Sequence, residues 1–150
     1  MTHPFPHRYE AALAWEGGAR AALSSGARPV LTGGPPPEFD GSPDTWSPEH
    51  LLLSAANLCL MSTFFSLAKR AGLEVAGYRS RAEGTLDKTP EGLAFTRILL
   101  RVSIQAARAE EARKILDSAK KHCIVSNALK RPVEVEASIE AAREGSPVVS

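Results

Sequence analysis

The spacing of hydrophobic and polar positions differs from one part of the chain to the next. In the first third, the pattern predicts short strands followed by a loop. Two runs, Tyr9 to Trp15 and Ala19 to Leu23, flank the turn signal Glu16-Gly17-Gly18 and predict a hairpin. A third strand is predicted over Arg28 to Thr32. Residues 33–46 are rich in proline and glycine. Proline lacks an amide donor, and glycine carries too much backbone entropy for a regular element. This segment is predicted to be a surface loop.

Two helices are predicted, and their patterns differ. Ser47-Pro48-Glu49 is typical of a helix start, with serine at the N-cap and proline at the first helical position, and Gly72 supplies the stop. Residues 51–65 are apolar nearly all round, which predicts a central helix covered on several sides. Glu110 to Lys121 is predicted to be amphipathic. Its apolar stripe consists of Ala112, Ile115, Leu116 and Ala119.

Three further strands complete an α+β pattern. Leu73 to Leu86 and Leu93 to Ile104 predict two long strands, and the alternation of apolar and polar residues in the second is typical of a half-buried antiparallel strand. Residues 133–140 alternate in the same way and predict a final strand. The predicted organisation is a single domain over 1–150: strands at about 8–32, the loop at 33–46, a core at 47–140 and a polar tail at 141–150.

Composition narrows the class of protein. A chain of 150 residues fits one domain, and 18 Lys+Arg against 17 Asp+Glu give a formal charge of +1, so no nucleic-acid or anionic-lipid partner is predicted. The N-terminus has no apolar stretch typical of a secretory signal, which predicts a cytoplasmic location. Residues 51–68 carry no charge, but scattered polar residues favour a buried soluble helix over a membrane span.

The two cysteines are the main candidates for chemistry. Without a CxxC pair, and in a reducing compartment, they are expected to be free, catalytic or metal-bound. Cys59 lies mid-helix, where the alternative is a small buried hydrophobe. An unperturbed thiol is only about 3% thiolate at pH 7, so a reactive Cys59 needs a nearby cation. Cys123 follows basic residues and could equally be an incidental thiol; the spacing leaves open whether the two sulfurs come within disulfide range.

Glu49 and the histidines have simpler interpretations. Glu49 is a helix N-terminal acid, and ten residues of helix, about 15 Å, separate it from Cys59, so only another copy of the chain could bring it to that thiol. His50 and His122 match no zinc-ligand spacing with the cysteines, and no metal site is predicted. No phosphate-binding or metalloprotease motif is present, and Ser47 or Ser126 beside a histidine is not a triad without geometry.

Three segments resemble the OsmC/Ohr family, the osmotically inducible protein C and organic hydroperoxide resistance proteins. They are Trp46 to Leu52, Ala55 to Cys59, and Cys123 to Leu129, within a similarity that runs from about Tyr9 to Ile139. Ile124 departs from the family pattern, where proline is common after the second cysteine. The first cysteine lacks the aromatic neighbour common in the hydroperoxide-resistance branch. Residues 33–46 are more similar to the OsmC-like branch.

The resemblance implies an OsmC-like fold, two central helices packed against antiparallel sheets in an intertwined homodimer. It implies that Cys59 attacks a peroxide and that Cys123 closes a disulfide with it. It also implies an arginine and a glutamate from the neighbouring subunit, which match Arg20, or Arg28 as the alternative, and Glu49. Arg20 would stabilise the thiolate, and Glu49 would orient the arginine.

The sequence thus predicts a thiol-dependent peroxidase that reduces alkyl or lipid hydroperoxides, needs no cofactor and is recycled by a dithiol reductant such as a lipoyl-bearing or other thiol protein. Apolar residues around Cys59 would favour an apolar alkyl or lipid substrate; these are Leu58, Leu60, Met61 and Phe64. Two alternatives remain: a non-catalytic stress-response or small-molecule-binding scaffold of the same fold, and a structural disulfide.

Overall fold

The computed structural model describes residues 3–142, and the chain divides into two compact units between Leu51 and Leu52. Each unit contains one three-stranded sheet. Residues 143–150, most of the predicted polar tail, lie outside the described part of the chain.

The first unit contains the predicted hairpin and third strand. β1 (Ala12–Trp15), β2 (Ala21–Ser24) and β3 (Leu31–Gly33) pair antiparallel in that order. Gly17 and Gly18 take the left-handed conformations of the tight turn, with φ of 101° and 57°. β3 begins three residues later than predicted because the Arg28 amide donates to the Ser25 carbonyl (3.2 Å) in a turn. The predicted loop holds one short 3-10 turn at Pro37–Phe39.

Helix α1 (Pro48–Arg70) has the predicted start and stop. At its start, the Ser47 hydroxyl accepts the His50 amide (3.1 Å), which satisfies one of the free donors of the first turn. At its end, Gly72 is left-handed (φ 67°), and the Leu73 amide donates to the Ala68 carbonyl (2.9 Å).

The second unit contains the larger sheet and the two other helices. β4 (Val75–Thr89) and β5 (Gly92–Ala106) form a long antiparallel hairpin, followed by α2 (Ala109–His122), α3 (Ile124–Ala128) and β6 (Val133–Ala141). The expectation of antiparallel sheets is wrong for β6, which pairs in parallel with β5. The reason is that α2 and α3 return the chain to the start of β5, the crossover that parallel pairing requires.

The core of the second unit lies where α1 and α2 meet the larger sheet. The α2 stripe is buried as predicted, and β5 buries Ile98, Leu100, Val102 and Ile104 on its inner face. At Gly84 of β4, an added Cβ would lie 2.7 Å from the Phe95 ring and 3.0 Å from Leu53 of α1, so the helix approaches the strand as only glycine allows.

One face of α1 differs from the prediction of a helix covered on several sides. Leu58 is 61% exposed and Phe65 38% exposed, while Leu60 and Phe64 on the opposite face are buried. By length and composition alone, α1 could also cross a membrane, with a mean hydropathy of 1.8 over an 18-residue window. The core helix of a soluble protein has the same composition, and the buried face of α1 packs in the core cluster.

Candidate functional site

The two cysteines meet inside the second unit. Cys59 lies in the middle of α1, and Cys123 occupies the junction between α2 and α3. Both are free thiols, and the Cys123 thiol donates a hydrogen bond to the sulfur of Cys59. Sulfurs that are remote in the chain are therefore neighbours in the fold.

The surroundings of Cys59 favour its thiolate. Burial raises the pKa of the half-buried Cys59 thiol, but hydrogen bonds outweigh burial and hold the pKa below its ordinary value. The donors are the backbone amide of Val125, the Cys123 thiol, the amide of Ile124 and the Thr63 hydroxyl. Within one chain, the charge is thus stabilised mainly by amides at the start of α3; the cation expected from the sequence stays a prediction.

Thr63 makes the weakest of these contributions. Its hydroxyl donates to the Cys59 backbone carbonyl at 2.9 Å, the usual bond of a helical threonine to the preceding turn. A single hydroxyl proton directed at the carbonyl cannot at the same time serve the sulfur, which agrees with Thr63 having the smallest effect on the Cys59 pKa.

The surroundings of Cys123 favour its neutral form. Cys123 is 1% exposed, and burial raises the pKa of its thiol, as does the neighbouring Cys59. The hydroxyl and backbone amide of Ser126 act in the other direction, with Ser126 Oγ 3.2 Å from the sulfur. The site therefore pairs an accessible, more acidic thiol with a buried, less acidic one.

Two β4 residues, Tyr78 and Ser80, contact α1 near Cys59. The Ser80 hydroxyl donates to Asn57 Oδ1 (2.6 Å), which ties β4 to α1 two residues before Cys59. Tyr78 packs against Phe64 and Phe65, with ring centroids 5.6 and 5.7 Å apart. Burial, followed by the charge of Cys123, raises the pKa of Tyr78.

Sequence reasoning missed most of these neighbours. Val125 and Ser126 follow Cys123 closely, and a serine three residues after a cysteine at a helix start was a usable signal for a hydroxyl that faces the sulfur. Tyr78 had no such signal, because it comes from a distant strand.

Arg20 and Glu49, the other predicted site residues, belong to the first unit. Arg20 closes the hairpin turn, where its carbonyl accepts the Glu16 amide (2.9 Å), and so lies just before β2 instead of within it. The alternative, Arg28, directs its guanidinium at the Ser25 carbonyl of its own loop (3.4 Å).

Glu49 lines an apolar cavity of about 410 Å³ within the first unit. The walls of this cavity include Leu13, Leu23, Phe39 and Trp46. Glu49 Oε1 is buried without a hydrogen-bond partner among residues 3–142. Because a buried carboxylate oxygen is costly to leave unpaired, this atom identifies a position where a donor is missing.

No group of three or more histidine, cysteine or acidic side chains within residues 3–142 could hold a metal ion. The chemistry of the described site is that of the two sulfurs.

Solved structures share this mixed α+β architecture of two sheets and few helices. An OsmC-like protein of unknown function from Vibrio cholerae aligns with a TM-score of 0.81 at 18% identity, over 89% of this chain and 100% of that chain. An organic hydroperoxide resistance protein from Elizabethkingia anophelis aligns with a TM-score of 0.74 at 20% identity, over 93% of this chain and 100% of that chain. The fold class is therefore α+β and OsmC-like, as predicted.

Residues 41–138 match the family of OsmC-like proteins, which is more than half of the chain, and the chain belongs to this family. Among curated proteins it is similar to the uncharacterized protein YmaD of Bacillus subtilis, 29% identical over 106 residues that cover 65% of this chain and 71% of that protein. The family includes organic hydroperoxide resistance proteins. The resemblance seen in the cysteine motifs is confirmed.

Proposed function

We propose that this chain is a cysteine peroxidase that reduces alkyl or lipid hydroperoxides to alcohols. The observation that carries the proposal is the contact between two unequal thiols, Cys59 with a lowered pKa and Cys123 with a raised one. A peroxidatic sulfur must be ionised and reachable, and a resolving sulfur must be close to it. Membership of a family that includes organic hydroperoxide resistance proteins supports the same assignment.

In the first step, the Cys59 thiolate attacks the outer oxygen of the hydroperoxide. The O–O bond breaks, an S–O bond forms, and the alkoxide leaves as alcohol after taking up a proton, so that Cys59 becomes a sulfenic acid. In the second step, the Cys123 sulfur attacks this sulfenic acid, which releases water and forms the Cys59–Cys123 disulfide. A dithiol reductant, such as a lipoyl-bearing or other thiol protein, then reopens the disulfide.

The proposal includes a homodimer in which Arg20 and Glu49 of the neighbouring subunit complete the site. The exposed stripe of α1 with Leu58 and Phe65 supports a second copy as its cover. The unpaired Glu49 oxygen supports an arginine partner, since a guanidinium supplies the missing donors. Arg20 would stabilise the thiolate and the departing alkoxide. The proposed enzyme acts in the cytoplasm.

The apolar cavity beside Glu49 supports an organic substrate over hydrogen peroxide. Burial of an alkyl tail of several carbons contributes about 0.8 kcal/mol per methylene, which hydrogen peroxide cannot gain. Two of the residues predicted to favour apolar substrates, Leu60 and Phe64, are core residues instead. The proposal therefore assigns the tail to the Glu49 cavity that the neighbouring subunit would contribute together with Glu49.

Intact-mass analysis after one equivalent of cumene hydroperoxide tests the proposal. We expect the wild type to lose two hydrogens, Cys123→Ser to gain one oxygen that dimedone traps, and Cys59→Ser to remain unchanged. If the wild type keeps both thiols under these conditions, the protein is not a peroxidase, and the scaffold of the same fold becomes the better interpretation.

A comparison of Arg20→Lys with Arg28→Lys identifies the arginine. Lysine keeps the charge but not the planar fork of donors. We expect Arg20→Lys to lower the rate of sulfenic acid formation by roughly hundredfold, the cost of losing one preorganised donor at a developing oxyanion, and Arg28→Lys to change it little. The reverse order would assign the role to Arg28.

A further inference from the structure

The unequal exposure of the two sulfurs determines how a disulfide between them is opened. Cys59 is half-buried, whereas Cys123 is 1% exposed. Thiol–disulfide exchange needs an in-line approach of the incoming thiolate to the sulfur that it attacks. The reductant therefore reaches Cys59, and Cys123 is the sulfur that leaves.

Departure of Cys123 creates a thiolate in the core of the second unit. Cys123 belongs to the buried cluster with Phe64, Ile104 and Leu116, none of which offers a hydrogen bond from its side chain. A buried charge without donors is costly, and the rate of exchange falls as the leaving thiol becomes less acidic. The reductive step thus depends on donors that face Cys123.

Ser126 provides the donors that the reduced structure already shows. Its hydroxyl lies 3.2 Å from the sulfur, and its backbone amide also lowers the Cys123 pKa. The Tyr78 hydroxyl is the next candidate, because its oxygen is buried and has no hydrogen-bond partner within residues 3–142 in the reduced state.

Tyr78 is held beside the same cluster. It packs against the cluster that contains Cys123, and its ring contacts Phe64 and Phe65 of α1. Burial, and after it the charge of a Cys123 thiolate, raises the pKa of Tyr78 above its usual range, so the phenol keeps its proton near neutral pH and can donate it.

We propose that the Tyr78 hydroxyl donates a hydrogen bond to Cys123 Sγ when this sulfur leaves the Cys59–Cys123 disulfide as a thiolate. The inference rests on the proposed function, since it concerns the disulfide of that cycle. In this step the reductant thiolate forms a bond to Cys59 Sγ, the S–S bond breaks, and its electron pair goes to Cys123 Sγ. The second thiol of the reductant then displaces Cys59 as a thiolate and leaves as the oxidised reductant, and Cys123 takes up a proton from solvent.

Tyr78→Phe removes the hydroxyl and keeps the ring. The disulfide is formed with diamide, which does not require peroxidase activity. Its reduction by dithiothreitol is followed by rapid acid quenching and intact-mass analysis. We expect the second-order rate constant to fall about three- to tenfold, because a hydrogen bond to a charged group is lost while the charge is only partly developed. Tyr9→Phe is the matched control, since it removes the hydroxyl of a tyrosine that lies in the first unit and is 87% exposed; its rate should remain near that of the wild type.

The pKa of Cys123 is a second readout, which distinguishes a hydrogen bond from the Tyr78 hydroxyl from an effect of Tyr78 on packing. In the Cys59→Ser background, Cys123 is the only thiol, and its pKa is measured from thiolate absorbance at 240 nm. We expect added Tyr78→Phe to raise this pKa and added Tyr9→Phe to leave it unchanged. An unchanged Cys123 pKa, or a reduction rate for Tyr78→Phe equal to that of the wild type, would overturn the proposal.

The outcomes also separate this inference from the proposed function. If cumene hydroperoxide fails to oxidise Cys59 but the diamide-formed disulfide is reduced more slowly in Tyr78→Phe, the peroxidase proposal fails and the role of Tyr78 stands. If peroxide oxidation proceeds equally in both proteins and reduction is unaffected, the peroxidase proposal stands and the role of Tyr78 fails. Should Tyr78→Phe not fold, 3-fluorotyrosine incorporation in a Tyr9→Phe background provides the test: a more acidic phenol should accelerate reduction, and an unchanged rate contradicts the proposal.

Discussion

Cys59 and Cys123 carry the same side chain and share a hydrogen bond, but α1 and the α2–α3 junction surround them differently. Cys59 is half-buried and receives the amides of Ile124 and Val125, which hold its pKa below the ordinary value despite burial. Cys123 is enclosed by the core, and burial raises its pKa despite the Ser126 hydroxyl. The difference shows that burial and backbone donors, more than residue type, decide which thiol is the more acidic.

The comparison also concerns where a charge is stabilised. Two amide donors in the backbone of α3 need no reorganisation when Cys59 ionises, whereas Cys123 has one such amide, that of Ser126, and the Ser126 hydroxyl, which must point at it. A single chain therefore contains part of the activation of Cys59.

The largest expected difference is in reactivity. In the wild type, we expect iodoacetamide to alkylate Cys59 at least about tenfold faster than Cys123 at pH 7, because each unit of pKa changes the thiolate fraction about tenfold and burial also shields Cys123. Peptide mass mapping over time gives both rates from one sample. In 8 M urea the two rates should converge; equal rates in the folded protein would remove the distinction between the two thiols.

The pH dependence of stability reports the raised Cys123 pKa separately. In Cys59→Ser, a neutral Cys123 contributes stability below the ordinary thiol pKa of about 8.5, and this contribution is lost as pH rises through the folded value. The free energy of unfolding should fall with pH in this interval, by at most about 1.4 kcal/mol per unit.

Urea titrations at several pH values between about 7.5 and 10 measure this slope. The slope measured for the variant that lacks both thiols is subtracted, because it contains the contribution of all other titrating groups. A slope equal to that of the double variant would show that Cys123 titrates normally in the fold.

Most of the secondary structure could be predicted, because hydrophobic periodicity records which side chains are buried. The α2 stripe, the inner face of β5 and the stop at Gly72 follow from spacing and from one glycine. The parallel pairing of β6 could not be predicted, since alternation is the same in parallel and antiparallel strands at the edge of a sheet.

The site was predictable in part. The cysteine motifs identified both sulfurs, but periodicity carries no information on where backbone amides point, and α3 at five residues is too short to show a helical pattern. The exposed face of α1 could not be predicted either, because composition reports that the helix is apolar but not which of its faces the rest of the chain covers.

Removal of the Ser126 hydroxyl should increase the difference between the pKa values of Cys123 and Cys59. We expect Ser126→Ala to raise the Cys123 pKa by less than about one unit, because the backbone amide of Ser126 remains as a donor. The measurement is thiolate absorbance in the Cys59→Ser background. A lowered pKa would mean that the hydroxyl acts as an acceptor toward the Cys123 thiol.

The smallest effect is expected at Thr63, and it tests which atom its hydroxyl serves. Thr63→Val removes the hydroxyl and keeps the β-branched shape, and since the proton is directed at the Cys59 carbonyl, the alkylation rate of Cys59 should change less than about twofold. Ser62→Ala is the matched control, because the Ser62 hydroxyl makes the same bond to the Leu58 carbonyl (2.9 Å) one position earlier. A tenfold loss in Thr63→Val alone would mean that Thr63 donates to the sulfur when Cys59 ionises, and the stabilisation of this thiolate would then depend on a hydroxyl as that of Cys123 does.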